Sequence, residues 1–384
     1  MRVCYFGTYR DTYVRNRLMI DRLRAQGIDV AECHQRLWQG LEDRQQAAGG
    51  GWRSPRFLWR VMTTYLRLLW RYWHIGDYDV MMVGYPGQPD VLLARLLSWL
   101  RRKPLVWDVF MSIYLIALER RLDQQSPFTV KMIRRLEGYA LRLPDWLIID
   151  TQVYLEWFQA TYGIRSDRVL LVPLGADDRI FYPRRDRQKK PDSIFRCIYY
   201  GTYIPNHGVR YILEAAHLLE DEPEIQFELV GTGPQHQEMI ALADELKLHN
   251  VCFLDWMPVE KLVQRVAEVD VCLGTFGITP QALLTMQHKI HEGFAMAKPV
   301  INGESPMMSR TLVNREHILL CERENGRALA DAIRLIYHDP DLRQKISKGG
   351  YEFFVQHLSM AKTGALLREH LQTVLAGGPI GNKN

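Results

Sequence analysis

The sequence predicts an α/β protein of two domains, each a parallel sheet covered by helices. Three observations carry this. The chain has 384 residues, which at roughly 100–200 residues per domain favours two. Short apolar runs alternate with amphipathic runs, the β-then-α pattern of parallel sheets. The pattern stops at Pro-Arg-Arg-Asp-Arg-Gln-Lys-Lys-Pro-Asp, residues 183–192, and then begins again.

In the first half, Val3–Phe6 is a short apolar run closed by Gly7, followed by an amphipathic stretch from Asn16 to Gln26 and a second strand from Ile28. Val80–Val83 leads into a helix near 89–101, and Pro104–Trp107 is the next strand. Trp146–Ile149, a helix over Tyr154–Tyr162 and Val169–Val172 complete this half. In the second half the strands are Phe195–Tyr200, Gln226–Val230, Val251–Leu254, Val271–Gly274 and Pro299–Asn302. Helices are expected over Val209–Glu220, Gln237–Lys247, Val259–Val266 and, as one continuous element, Leu283–Met296. The expected domains are 1–182 and 193–357, with residues 183–192 as linker and 358–384 as a terminal helix packing back on the first domain, then a tail.

Hydrophobic residues make up 47% and charged residues 24%, ordinary values for a globular protein. The six cysteines form no C-x-x-C pair and read as buried thiols in a reducing compartment. The first residues are too short an apolar run for a signal peptide, and no stretch approaches the roughly 18 apolar residues of a membrane span. The expected location is the cytoplasm, with a peripheral place at the inner face of a membrane left open. Residues 1–190 hold 31 Lys+Arg against 20 Asp+Glu, and residues 191–384 hold 18 against 24. The basic half should face an anionic partner, but no nucleic-acid motif accompanies it.

Ligands of parallel sheets sit outside the carboxyl ends of the strands. Those ends carry Gly7-Thr8, Gly201-Thr202, Gly231-Thr232-Gly233 and Thr275-Phe276-Gly277, turns whose backbone can approach a phosphate. Four of them across two α/β domains point to a diphosphate ligand held between domains. From Tyr199 to about Phe354 the chain resembles glycosyltransferase family 4, the retaining GT-B enzymes. The resemblance lies in Gly201-Thr202-Tyr203-Ile204-Pro205-Asn206-His207-Gly208, in Val230-Gly231-Thr232-Gly233-Pro234 and in Phe253-Leu254-Asp255-Trp256-Met257-Pro258. Its most specific block is Lys289-Ile290-His291-Glu292 through Lys298-Pro299-Val300. In the first half, Val172-Pro173-Leu174-Gly175-Ala176 is similar to the family's segment before the linker. The sequence departs from the common pattern at Leu284, where many members have a glutamate, and at Thr202 and His207, where many have Arg and Lys. The motifs fit a subset that reads P-x-H-G at the turn and N-K-x-x-E on the helix.

The resemblance implies a GT-B fold, two Rossmann-like domains facing a central cleft. It implies a nucleoside-diphosphate-sugar donor, UDP- or GDP-linked, a glycan or glycolipid acceptor, and no metal or other cofactor. Donor contacts fall to Gly7, Thr8, Gly201, Thr202, Gly231, Gly233, Trp256, Met257, Phe276, Gly277, Lys289 and Glu292. Asp108, His207 and Lys289 fall at the reacting centre. The competing readings are a surface pair for Lys289 and Glu292, an exposed loop histidine for His207, and a turn cap for Asp108. Arg10, Arg15 and Arg17 either supply the charge missing at Thr202 or begin a solvated helix. Asp77-Tyr78-Asp79 resembles a metal-binding triplet, yet it enters a strand rather than leaving one. A non-catalytic subunit that binds nucleotide or glycan is the alternative function, motivated by Leu284 and the missing basic pair.

Residues 53–73 carry a further signal. Arg53, Arg56, Arg60, Arg67 and Arg71 fall within an arc of about 60° at about 100° per residue. The opposite side holds Leu58, Val61, Met62, Tyr65, Leu68, Leu69 and Tyr72 and is expected to pack on its own domain. The arginines, with Trp59, Trp70 and Trp73, suit an anionic membrane surface.

Overall fold

The computed structural model describes residues 1–37, 54–184 and 194–377. The chain forms two compact units, one of residues 1–173 joined by the chain from Thr363 onward, the other Leu174–Lys362. The first unit thus ends before the expected limit at 182. Of the expected linker, residues 185–192 lie outside the described residues.

The first unit runs β1 (Arg2–Gly7), α1 (Val14–Ala25), β2 (Asp29–His34), α2 (Pro55–His74), β3 (Val80–Val83), α3 (Asp90–Leu100), β4 (Leu105–Asp108), α4 (Ile113–Glu119), α5 (Leu122–Gln125), α6 (Pro127–Ala140), β5 (Trp146–Ile149), α7 (Gln152–Tyr162) and β6 (Val169–Leu171). Its strands are all parallel, in the order β2-β1-β3-β4-β5-β6. Because parallel crossovers are right-handed, the direction of each step decides which face its helix covers. The step from β1 to β2 runs one way and puts α1 on one face. Every later step runs the other way, so α2, α3, α6 and α7 share the opposite face.

The second unit runs β7 (Phe195–Tyr200), α8 (Val209–Leu218), β8 (Ile225–Val230), α9 (His236–Glu245), β9 (Val251–Leu254), α10 (Val259–Glu268), β10 (Val271–Leu273), α11 (Pro280–Leu284), α12 (His288–Ala295), β11 (Val300–Gly303), α13 (Pro306–Thr311), β12 (Leu319–Cys321), α14 (Gly326–His338) and α15 (Pro340–Phe353). The sheet is again parallel, ordered β12-β11-β10-β7-β8-β9. The last helix, α16 (Met360–Ala376), buries Leu367, Leu371 and Val374 against Met19, Leu23 and the β1 side chains of the first unit.

Local chemistry sets the helix starts. Ser54, with Pro55 at the first helical position, accepts the Phe57 N–H at the head of α2; Thr151 does the same for α7 and Asn325 for α14. The element expected over Leu283–Met296 is two helices. Thr285 and Gln287 are extended, Thr285 Oγ1 donates to the Gln281 carbonyl, and Thr275 Oγ1 donates to Gln287 Oε1. Lys289 therefore lies in the first turn of α12 rather than deep in a long helix. On α2, only a narrow stripe through Thr64, Leu68 and Tyr72 is buried, and Leu58 and Met62 are exposed. The expected packing of the whole apolar side is thus corrected: a helix laid on a sheet covers one stripe, not half its circumference. Arg53 lies outside the described residues.

Candidate functional site

In the second unit three loops at the strands' carboxyl ends interlock through glycine. Gly231 has φ +131°, and a Cβ there would lie 2.1 Å from the Gly201 carbonyl oxygen. A Cβ on Gly277 would lie 2.1 Å from the Pro205 oxygen, and one on Gly233 would lie 2.6 Å from the Tyr203 nitrogen. The backbone bonds Gly201 N–H to Val230 O, Tyr203 N–H to Thr232 O and Phe276 N–H to His207 O tie the loops together. These glycines first of all allow the loops to touch; any side chain would push them apart.

The open part of this arrangement is the bare face of Gly201. A methyl there would meet Lys289 Nζ at 3.0 Å, His207 Cε1 at 3.4 Å and Tyr199 Oη at 3.4 Å. Lys289 is 5% exposed, its ammonium sits 4.0 Å from the centre of the Tyr199 ring, and it finds no hydrogen-bond partner among the described residues. Burial pushes it down to about 7, and Glu292 opposes the shift. Tyr199 Oη donates to Thr202 O at 3.0 Å and stands 2.7 Å from His207 Nδ1. The hydroxyl carries a single hydrogen: when it goes to Thr202 O, Nδ1 carries its own and the neutral ring offers Nε2 as an acceptor; when it goes to Nδ1, Nε2 carries the ring hydrogen. Burial and the Lys289 charge hold His207 well below the usual imidazole range. The ring becomes a donor on both sides only when a bound anion draws a proton to it.

Glu292 stands one turn on from Lys289, half-buried, beside the Tyr200 hydroxyl, which donates to Lys289 O at 3.3 Å. Trp256 is 65% exposed on the loop after β9 and Met257 is half-buried beside it. Phe276 is corrected: its side chain is 1% exposed within the core, so only its backbone belongs to the loop. The sequence reading missed Arg323, which is buried and donates to Glu304 O at 2.6 Å and Gly277 O at 2.7 Å. Burial lowers it to about 10, and it clamps the 275–277 loop through backbone carbonyls. Nothing near Arg323 in sequence signals this.

In the first unit the corresponding turn is already filled. Asp90, at the head of α3, takes the Thr8 N–H at 2.8 Å, the Thr8 hydroxyl at 3.0 Å and the Tyr65 hydroxyl at 2.6 Å. Its Oδ2 lies 2.8 Å from where a Gly7 Cβ would be. The Thr8 N–H expected to meet a phosphate therefore meets a protein carboxylate, which burial raises above the usual carboxylate range. Asp108 is corrected more firmly. It is fully buried, and both its oxygens are bound by Arg15 at 2.9 Å. Arg15 is fully buried too and also donates to Val172 O, so it supplies no charge to a ligand. Close to this pair Asp150 is 6% exposed, leaves Oδ1 without a partner and is raised to about 7 by burial. Asp77 pairs with Lys103, and Asp79 takes the Arg2 N–H at 2.7 Å. Among the described residues no cluster of His, Cys, Asp or Glu can hold a metal ion.

Two parallel α/β units whose second carries an anion-ready turn define the class. A family model for "Glycosyl transferases group 1" matches residues 183–353, and one for "Glycosyl transferase 4-like domain" matches residues 12–175. Together they cover most of the chain, which belongs to the group 1, family 4-like glycosyltransferases of GT-B fold. The chain is similar to the lipopolysaccharide core biosynthesis glycosyltransferase LpsD of Rhizobium meliloti, 26% identical over 170 residues, which are 44% of this chain and 46% of that one. The match thus spans about half the length of that relative. Among solved structures, sucrose-phosphate synthase from Thermosynechococcus elongatus shares the fold at TM-score 0.71 and 17% identity, covering 98% of this chain and all of that one. Anabaena HepE, solved with UDP-glucose, does so at TM-score 0.67 and 16% identity, over 97% of this chain and all of that one.

Proposed function

We propose that this protein is a retaining glycosyltransferase that moves a sugar from a UDP- or GDP-sugar to a hydroxyl of a glycolipid or lipid-linked saccharide. One observation carries the reading: the buried Lys289 ammonium, without a hydrogen-bond partner, beside the bare Gly201 turn. A buried cation left unsatisfied is costly, and a diphosphate would complete it. UDP is the preferred carrier because HepE was solved with UDP-glucose. The lipid-linked acceptor rests on the likeness to a lipopolysaccharide core enzyme and on the arginines of α2. The protein would work in the cytoplasm, peripherally at the inner face of a membrane.

In this reading Lys289 and the Gly201 turn hold the leaving diphosphate, and His207 joins them once protonated. As the C1–O bond to phosphate breaks, charge grows on the leaving oxygen and the ammonium stabilises it. The acceptor oxygen bonds C1 from the same face and its proton passes to the departing phosphate, so no side-chain nucleophile is needed. Glu292 is assigned to the nucleotide ribose, and Trp256 and Met257 to the base. The fixed ammonium does the work a divalent cation would do elsewhere, so transfer should persist in excess chelator.

The test is incubation of purified protein with UDP- and GDP-sugars and a lipid-linked or glycan acceptor, with NMR of the new anomeric centre. Transfer with retained configuration is expected. An inverted product would overturn the stereochemical reading, and absence of both transfer and donor hydrolysis would favour a binding subunit.

A further inference from the structure

We infer that the outer face of α2, α3 and α6 is a docking surface for an anionic lipid bilayer. These helices lie on one side of the first unit's sheet. Tyr72 of α2 donates to the Leu97 carbonyl of α3, and Arg101 stacks over the Tyr72 ring, so α2 and α3 are neighbours. Gln88, just before α3, donates to Glu137 of α6.

Large apolar side chains point outward from all three. Of the 21 exposed large hydrophobic residues among those described, 14 lie on these three helices. Trp59, Trp70 and Trp73 on α2, Leu96 and Trp99 on α3 and Phe128 on α6 are each more than half exposed. An apolar patch gathered on one side of a water-facing domain marks an interaction surface.

Charge selects the occupant. The only carboxylates on the three helices are Asp90 and Glu137, which are 1% and 0% exposed. Asp90 is bound by Thr8 and Tyr65, and Glu137 by Ser112, Tyr162 and Gln88. What remains outside is basic: Arg56, Arg60, Arg67 and Arg71 on α2, and Lys131, Arg134 and Arg135 on α6. A cleft of about 610 Å³ lined by Arg95, Trp99, Leu100, Arg102, Lys103 and Asp145 opens at the end of α3, its one carboxylate paired with Arg95 at 3.0 Å, and is large enough for a lipid head group. Indole rings flanked by arginine, with no exposed acid on the three helices to repel phosphate and with Asp145 and Asp77 beside them paired to Arg95 and Lys103, match the head-group layer of an anionic membrane. A protein partner would need an acidic surface with apolar centres. A second copy would set arginine against arginine.

The surface deepens the membrane-acceptor reading and rests on it only for its purpose. The test is co-sedimentation of the full chain with vesicles of phosphatidylcholine alone or with phosphatidylglycerol, at low and high salt, alongside transfer to a soluble acceptor. The wild type should bind only the anionic vesicles, with tryptophan emission shifted to the blue and binding weakened by salt. Arg56/Arg60/Arg67/Arg71→Gln should cut partitioning by about tenfold or more. Trp70→Ser/Trp73→Ser/Trp99→Ser should cut it at every salt concentration, and should fold, since these rings are mostly exposed. Wild type that ignores anionic vesicles, or a tryptophan variant that binds like wild type, overturns the proposal. So does a dimer in sedimentation velocity that the tryptophan variant abolishes. Wild type that transfers to the soluble acceptor but does not bind anionic vesicles refutes the surface alone, whereas wild type that binds vesicles but does not transfer refutes the donor assignment.

Discussion

Replacing Lys289 by methionine should remove the Lys289 share of the coupling between donor binding and pH. In the free protein burial holds this ammonium at about 7, so at pH 8 only about one tenth of molecules carry the charge. A diphosphate beside Nζ favours the charged form and returns the group toward its ordinary value near 10.4. Binding at pH 8 should then take up about 0.9 proton, and affinity should fall about tenfold between pH 6 and pH 8. His207 is held well below the usual range and stays neutral in the free protein across this window. A UDP-sugar is the right probe, since its esterified phosphates do not titrate near 6 as a terminal phosphate does. The assay is isothermal titration calorimetry at pH 8 in two buffers of different ionisation enthalpy. Lys289→Met should remove this share of about 0.9 proton from the uptake, leaving only what His207 contributes, reduce the pH dependence and weaken binding roughly tenfold to a hundredfold, the worth of a charged hydrogen bond of about 1.5–3 kcal/mol. Tight wild-type binding with no proton uptake would show that Lys289 does not meet the diphosphate.

Three further outcomes follow from the same geometry. Glu292→Ala should raise the donor dissociation constant about tenfold to a hundredfold with an unchanged melting temperature; unaltered donor binding would remove Glu292 from the site. Asp108→Asn should destabilise the fold by about 3–5 kcal/mol, because it leaves the Arg15 charge buried and unpaired. Normal melting together with lost turnover would instead return Asp108 to the reacting centre. Asp150, raised to about 7, binds its proton in the folded state where the unfolded chain, near 3.9, has lost it. Its contribution is therefore present below about pH 4 and lost as pH rises through about 7, by at most about 4 kcal/mol. Denaturant titrations of wild type and Asp150→Asn at pH 5 and pH 8 should show a flatter pH dependence in the variant, and equal slopes would refute the assignment.

Strands were the most legible part of this fold. Val80–Val83, Trp146–Ile149 and Phe195–Tyr200 fall where their apolar runs place them, because a strand buried on both faces writes its own boundaries in sequence. The break in the 283–296 element was not legible, since it depends on Thr275 reaching Gln287. The apolar side of α2 shows the same limit from another direction. Periodicity identifies an amphipathic helix but not how wide a stripe its sheet will accept, so Leu58 and Met62 look like core residues until the sheet is in place.

The site itself shows most plainly what sequence leaves open. The first strand of each unit leads into the same three-residue turn, Gly7-Thr8-Tyr9 and Gly201-Thr202-Tyr203. Both glycines have positive φ, +140° and +150°, so local chemistry builds the same anion-accepting turn twice. What separates them comes from far along the chain. Asp90, 82 residues on from Thr8, brings a carboxylate that fills the first turn, and Lys289 brings an ammonium without a hydrogen-bond partner beside the second. A motif read locally could not tell them apart. The sign of the charge that the fold delivers to each turn decides that one is an internal lock and the other the assigned seat of the donor diphosphate.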